Sequence, residues 1–192
     1  MKPTSPHFAE ALAFGLLQVA IAAFAARNGA PGAAGVLLAT WTSGSLAGGL
    51  IAGGREWAMP VERRYVVLLL LLAGAFALLL LPTTNLQMAA FIVLAGLPIA
   101  PWLSCTYLLV DRLTPPGTVT EAFTWILTGF LSGQSIGASL AGTLIDASGP
   151  RMALLAATAS LSLAAVIAIA RWSTFARADP ADLEHKGGRG QR

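Results

Sequence analysis

Six polar side chains recur at steps of three or four along one apolar stretch of this sequence: Glu121, Thr124, Thr128, Ser132, Ser135 and Ser139. At about 100° per residue they share a narrow arc of one helix face. Hydroxyls held on such a face, with a carboxylate at its head, suit a route for water or for the polar part of a ligand. The competing reading is that each hydroxyl bonds back to the carbonyl four residues earlier. Six on one stripe favours a face turned to water or substrate. Beside the arc runs a ridge of Gly129, Gly133, Gly137 and Ala141. Small residues at that spacing let a neighbouring backbone approach closely. Gln134 falls off this face.

Other apolar stretches carry fewer candidates. Pro98, Pro101, Trp102 and Cys105 fall at i, i+3, i+4 and i+7. Two prolines there break a helix and free backbone carbonyls, which is tolerated only where protein or a water-filled cavity satisfies them. A passive kink against packed neighbours is the alternative. Trp41, Gly44, Ser45 and Gly48 share a face, with Gly49 and Gly53 alongside, and helix packing explains most of that. Phe14 and Gln18 mark the first stretch; a lone amide such as Gln18 bridges two helices more often than it binds a ligand. Trp102, Thr128 and Ser135 are the leading candidates for lining a substrate cavity, with Gln18, Trp41 and Thr124 behind them.

The carboxylates need separate readings, because charge inside a bilayer is expensive and usually functional. Thr118-x-x-Glu121 matches a capping box, with Glu121 reaching back to the Thr118 amide. Glu121 also heads the hydroxyl stripe, so a coupling role stands beside the capping role. Ser5-Pro6 starts the first helix and leaves Glu10 in its second turn. Neither carboxylate is expected near mid-bilayer, so a proton-coupling site is not expected in this chain. His7 and His185 lie outside the apolar stretches and Cys105 is the single cysteine. No metal cluster, internal disulfide or nucleophilic triad can be assembled from them. The reading is not an enzyme, with no metal and no cofactor.

The elements that must position these groups follow from composition. The 192 residues are 56% hydrophobic and 11% charged, with a mean hydropathy of +0.71. A soluble domain carries roughly 25% charged residues. The chain is an all-α integral membrane protein. Its net charge of +3 would suggest nucleic acid in a soluble protein, but here the placement of charge matters more, and no nucleic-acid partner is expected. Six apolar segments, 8–26, 31–52, 65–81, 86–110, 120–145 and 152–170, approach the roughly 20 residues a bilayer core requires. Runs such as Val66–Leu72 do not alternate, which excludes a membrane barrel. The six spans form one domain over residues 1–172, and the polar composition of 173–192 predicts a disordered cytoplasmic tail.

Ten of the twelve Lys and Arg fall on the side of the termini, and only Arg27 and Arg151 on the other. Both termini are therefore expected in the cytoplasm. Lys2, the apolar run and Ala23-Phe24-Ala25 resemble a signal peptide, but Glu10 and Gln18 interrupt that run and the charge bias favours a retained span. The third and sixth spans are plain Leu, Val and Ala and read as lipid-facing. The other four carry Gly, Pro, Trp and hydroxyls.

This pattern resembles the C-terminal half of a major facilitator superfamily transporter. The stretch Gly142-Thr-Leu-Ile-Asp146-Ala-Ser-Gly149-Pro-Arg151 is similar to the G-x-L-x-D-x-x-G-x-R turn common before the last helix of each half. Pro115-Pro116-Gly117 through Thr120-Glu121-Ala-Phe-Thr-Trp125 resembles bacterial efflux-type members. The resemblance implies that the first, second, fourth and fifth helices line or flank a cavity while the third and sixth face lipid. It also implies a six-helix N-terminal partner half, since transport needs both halves. The loop Gly53-Gly54-Arg55 to Arg63-Arg64 departs from the family by lacking the acidic residue of its cytoplasmic signature. The implied function is secondary transport, as efflux, of a small neutral or amphipathic molecule across a bacterial plasma membrane. The alternative is a non-transporting scaffold or truncated remnant that self-associates through its Gly-rich faces: Gly44 and Gly48, and Gly129, Gly133 and Gly137.

Overall fold

The computed structural model describes residues 6–115 and 117–170. Ser5, Pro116 and the tail expected over 173–192 lie outside the described residues. Seven helices follow one another: α1 (Pro6–Arg27), α2 (Ala33–Gly53), α3 (Val61–Leu78), α4 (Asn85–Gly96), α5 (Ile99–Leu113), α6 (Val119–Ser148) and α7 (Pro150–Ala170). Four segments are long and apolar enough to cross a membrane: His7–Arg27, Ala33–Gly53, Asn85–Arg112 and Pro150–Ala170. The third of these is α4 and α5 together. α3 and α6 fall short of that measure for different reasons. α3 has 18 residues and opens with Glu62, Arg63 and Arg64, whereas the 30 residues of α6 are diluted by hydroxyls and glycines.

One proline, not two, makes the break in the fourth apolar stretch. Pro98 has no N–H to donate and separates α4 from α5. Pro101 sits in the first turn of α5, where a missing N–H costs little. The Trp102 amide donates to the Pro98 carbonyl at 3.0 Å and carries the helix on.

The capping box also forms elsewhere than expected. Thr84 Oγ1 accepts from the Gln87 amide at 3.3 Å, and Gln87 Oε1 accepts from the Thr84 amide at 3.4 Å. At the head of α6 the Thr118 hydroxyl instead donates to the Pro115 carbonyl at 3.0 Å and makes no cap bond. Glu121 is exposed. Thr118 has turned toward its own loop, which leaves Glu121 no box to complete.

Helix α1 is the centre of the bundle, packed against α6, α7 and α2. Its buried residues Ala11, Ala13, Phe14, Leu16, Leu17, Ala20 and Ile21 run all round the helix, as expected for an element enclosed by others. The crossing with α6 is backbone to backbone. A Cβ on Gly137 would collide with the Leu12 carbonyl, one on Gly15 with the Gln134 carbonyl, and one on Gly133 would lie 2.8 Å from Ala11 Cβ. α2 and α4 meet the same way, through Gly44 on Val93, Gly48 on Leu97 and Gly96 on Trp41. α3 and α7 each bury one apolar face and turn another outward, with Leu70 and Leu71 on α3 and Leu163 and Val166 on α7 exposed.

A single glycine, Gly149, separates α6 from α7. Its φ of +86° suits a residue without a Cβ, and the Arg27 guanidinium packs where that Cβ would stand. The end of α1 and the α6–α7 turn therefore share one end of the bundle.

Candidate functional site

Five aromatic rings from five helices meet around Phe14. Trp41 of α2 and Trp102 of α5 stack on it, with centroids at 5.7 and 5.8 Å and interplanar angles of 16° and 25°. Phe76 of α3 and Phe130 of α6 approach at 5.9 Å, edge-on and tilted. Offset and edge contacts of this kind add about 0.5–1.5 kcal/mol per pair beyond area burial. The rings thus hold the centre rigidly. The Trp41 indole N–H is buried without a hydrogen-bond partner among the described residues, and that of Trp102 has only the Tyr65 hydroxyl beside it. An unmatched buried donor costs about 1–3 kcal/mol, so the Trp41 N–H marks the place where an acceptor on a ligand gains most.

One turn from Phe14 on α1, the carboxylate of Glu10 is completely buried. Both its oxygens are used: the Tyr65 hydroxyl donates to Oε1 at 2.5 Å, and His7 Nδ1 lies 3.0 Å from Oε2. The His7 and Tyr65 rings meet edge to face, with centroids 6.3 Å apart. The Tyr65 hydroxyl also lies beside the Trp102 indole. The carboxylate and the aromatic centre are one assembly, joined through Tyr65 and Trp102. It can hold a proton between Glu10 and its neighbours, and it can present aromatic faces and an indole donor to an apolar ligand with an acceptor.

The residues expected from the sequence distribute around this assembly. Trp41 and Trp102 are in it, and Gln18 is half-buried one turn along α1 from Phe14. Thr124, Thr128, Ser132, Ser135 and Ser139 form an exposed stripe on α6. Four of these hydroxyls donate to carbonyls four residues back: Thr124 to Thr120, Ser132 to Thr128, Ser135 to Leu131 and Ser139 to Ser135, at 2.8–3.1 Å. Gly133 and Gly137 are occupied by α1 and Gly44 and Gly48 by α4, while Gly129 meets nothing. Of the five glycines expected to serve self-association, four thus meet a helix of the same chain. Cys105 is fully buried and accepts from Arg64 Nε at 2.9 Å, so it does not face an open cavity.

Sequence reasoning placed Glu10 in the second turn of the first helix but missed its burial. The signal was present: a carboxylate in an otherwise apolar run is a functional candidate by default. Its partner Tyr65 lies 55 residues away, beyond the reach of helical spacing.

Residues 7–191 match the family model described as Major Facilitator Superfamily. No curated protein and no solved structure gives a significant match.

Proposed function

The chain belongs to the major facilitator superfamily, and on that premise we propose that it acts as the C-terminal six-helix half of a secondary transporter that exports a small neutral or amphipathic molecule. Membership and the apolar helices make it an integral membrane protein of transport. The finer reading takes α3 and α6 as spans too, places both termini in the cytoplasm of a bacterial cell, and assigns a six-helix N-terminal half as partner, in the same polypeptide or a separate one. The exposed apolar residues Val36 and Ile51 of α2 and the exposed stripe of α6 suit contact with such a half.

The observation that carries this reading is Glu10. A carboxylate enclosed by helices and hydrogen-bonded by Tyr65 and His7 is expensive unless its charge is used. We assign it the exchange of a proton during the transport cycle, with Tyr65 and Trp102 conveying its state to the aromatic centre. The substrate would seat against Phe14, Trp41 and Trp102. Rings and a neutral donor favour a molecule that is apolar and carries an acceptor.

The test is transport in vesicles holding both halves, with a panel of neutral and amphipathic dyes. Glu10→Gln keeps the hydrogen bonds but cannot exchange a proton. It should abolish gradient-driven movement while substrate exchange without a gradient continues. Normal gradient-driven transport by Glu10→Gln at equal protein level would overturn the assignment.

A further inference from the structure

A second site lies beside the head of α3, which also carries the Glu10 partner Tyr65. A cleft of about 200 Å³ opens between the last turn of α2, the head of α3 and the first turns of α5. Gly49, Ala52, Gly53, Trp57, Arg64, Pro101 and Ser104 line it. Trp57 is fixed there because its indole N–H donates to the Ala52 carbonyl at 3.0 Å. Two guanidinium groups gather on that ring, Arg64 at 5.2 Å and Arg55 at 5.8 Å from its centroid.

Like charges do not gather on one ring without a reason. Cation–π attraction at exposed sites is worth only about 0.5–1 kcal/mol, which like-charge repulsion offsets. Among the described residues no carboxylate lies within 4.0 Å of either arginine. Glu62, in the first turn of α3, is engaged by Arg112 at 3.7 Å, and Glu56 does not line the cleft. Among the described residues the positive charge is therefore uncompensated, with the exposed Ser104 hydroxyl across the cleft.

The surroundings point to the source of the missing anion. Leu46 and Leu50, 65% and 70% exposed, lie at i and i+4 on α2, leading from the cleft along the apolar surface. Gly49 and Gly53 keep the α2 surface low beside them. Basic pockets between membrane helices at headgroup depth take acidic lipid headgroups, and tryptophan favours that same depth. We propose that this cleft seats the phosphodiester of an anionic phospholipid between Arg55 and Arg64, over Trp57, with an acyl chain along Leu46 and Leu50. Arg64, held through Nε by Cys105, then presents its terminal N–H groups to the phosphate.

The experiment uses the purified chain in nanodiscs and reads Trp57 as the fluorescence lost in Trp57→Phe. Brominated phosphatidylglycerol and brominated phosphatidylcholine are compared as contact quenchers. Two basic groups at headgroup depth predict a preference for the anionic lipid of about thirty-fold. Arg55→Gln with Arg64→Gln should remove it, and Arg55→Gln alone should reduce it about five-fold while leaving the Cys105 contact intact. Arg63→Gln, an exposed neighbour outside the cleft, should keep the preference. Equal quenching by the two lipids, or equal loss in Arg63→Gln, would overturn the site in favour of diffuse surface attraction. Protection of Trp57 by millimolar inorganic phosphate at constant ionic strength would make it a soluble-anion site and overturn the lipid assignment.

Discussion

Tyr65→Phe removes one hydroxyl and nothing else, and the structure fixes what that should cost. The phenol supplies the donor to Glu10 Oε1, and His7 serves the other oxygen. With Glu10 completely buried, no water replaces the lost donor. A hydrogen bond to a charged group is worth about 1.5–3 kcal/mol. For a chain of this size that corresponds to a melting temperature lower by about 3–12 °C. The control is Tyr107→Phe, the same chemical change at a ring that is 45% exposed, where the shift should stay within about 0.5 kcal/mol. A double-mutant cycle sharpens the attribution. In the Glu10→Gln background the hydroxyl still meets an oxygen, now neutral, so Tyr65→Phe should cost only about 0.5–1.5 kcal/mol. Thermal unfolding of the purified chain in detergent, followed by circular dichroism, measures all five proteins. If Tyr65→Phe and Tyr107→Phe behave alike, Glu10 does not depend on Tyr65 and the buried cluster is not the tight unit described.

The glycine ridge of α6 makes a contrasting pair. Gly137→Leu should destabilise the chain by about 3 kcal/mol, because its Cβ would enter the Leu12 backbone. Gly129→Ala, with nothing within 4 Å, should be neutral within about 0.5 kcal/mol in the same melts. Cys105 should react slowly with a maleimide in the folded chain, since it is buried against Arg64. Arg64→Ala should open it and raise the labelling rate at least several-fold, as read by mass spectrometry.

What could be read from the sequence was whatever repeats with helical period. Composition located the apolar stretches, the fourth of which is divided between α4 and α5, and in the ridge of Gly129, Gly133, Gly137 and Ala141 two glycines, Gly133 and Gly137, meet another helix while Gly129 does not. The spacing did not say which helix. Small residues permit approach by any backbone, and α1 meets the ridge from inside the chain through Ala11, Leu12 and Gly15. The paired prolines announced a break, but only Pro98 makes it. Pro101 falls where a helix start has no use for its N–H, and no count of prolines distinguishes the two positions. The capping-box pattern occurs at both Thr84 and Thr118, and only the former closes. Local spacing is identical in the two; what differs is that the Thr118 hydroxyl has a nearer acceptor in the Pro115 carbonyl.

Glu10 shows the same limit at the functional site. One turn of helix separates it from Phe14, which ties its position to the aromatic centre, yet a second-turn carboxylate at a helix end normally reaches water. Tyr65 reaches this carboxylate from α3, and no helical spacing on α1 announces that partner. α6 does not share in the contact: its ridge meets Phe8, Ala11, Leu12 and Gly15, which at about 100° per residue lie on the other side of α1 from Glu10. Gly137→Leu should therefore lower stability and leave the further cost of Tyr65→Phe unchanged, the two adding within about 0.5 kcal/mol in the same detergent melts. A clear shortfall from additivity would mean that the crossing helps to hold the buried carboxylate.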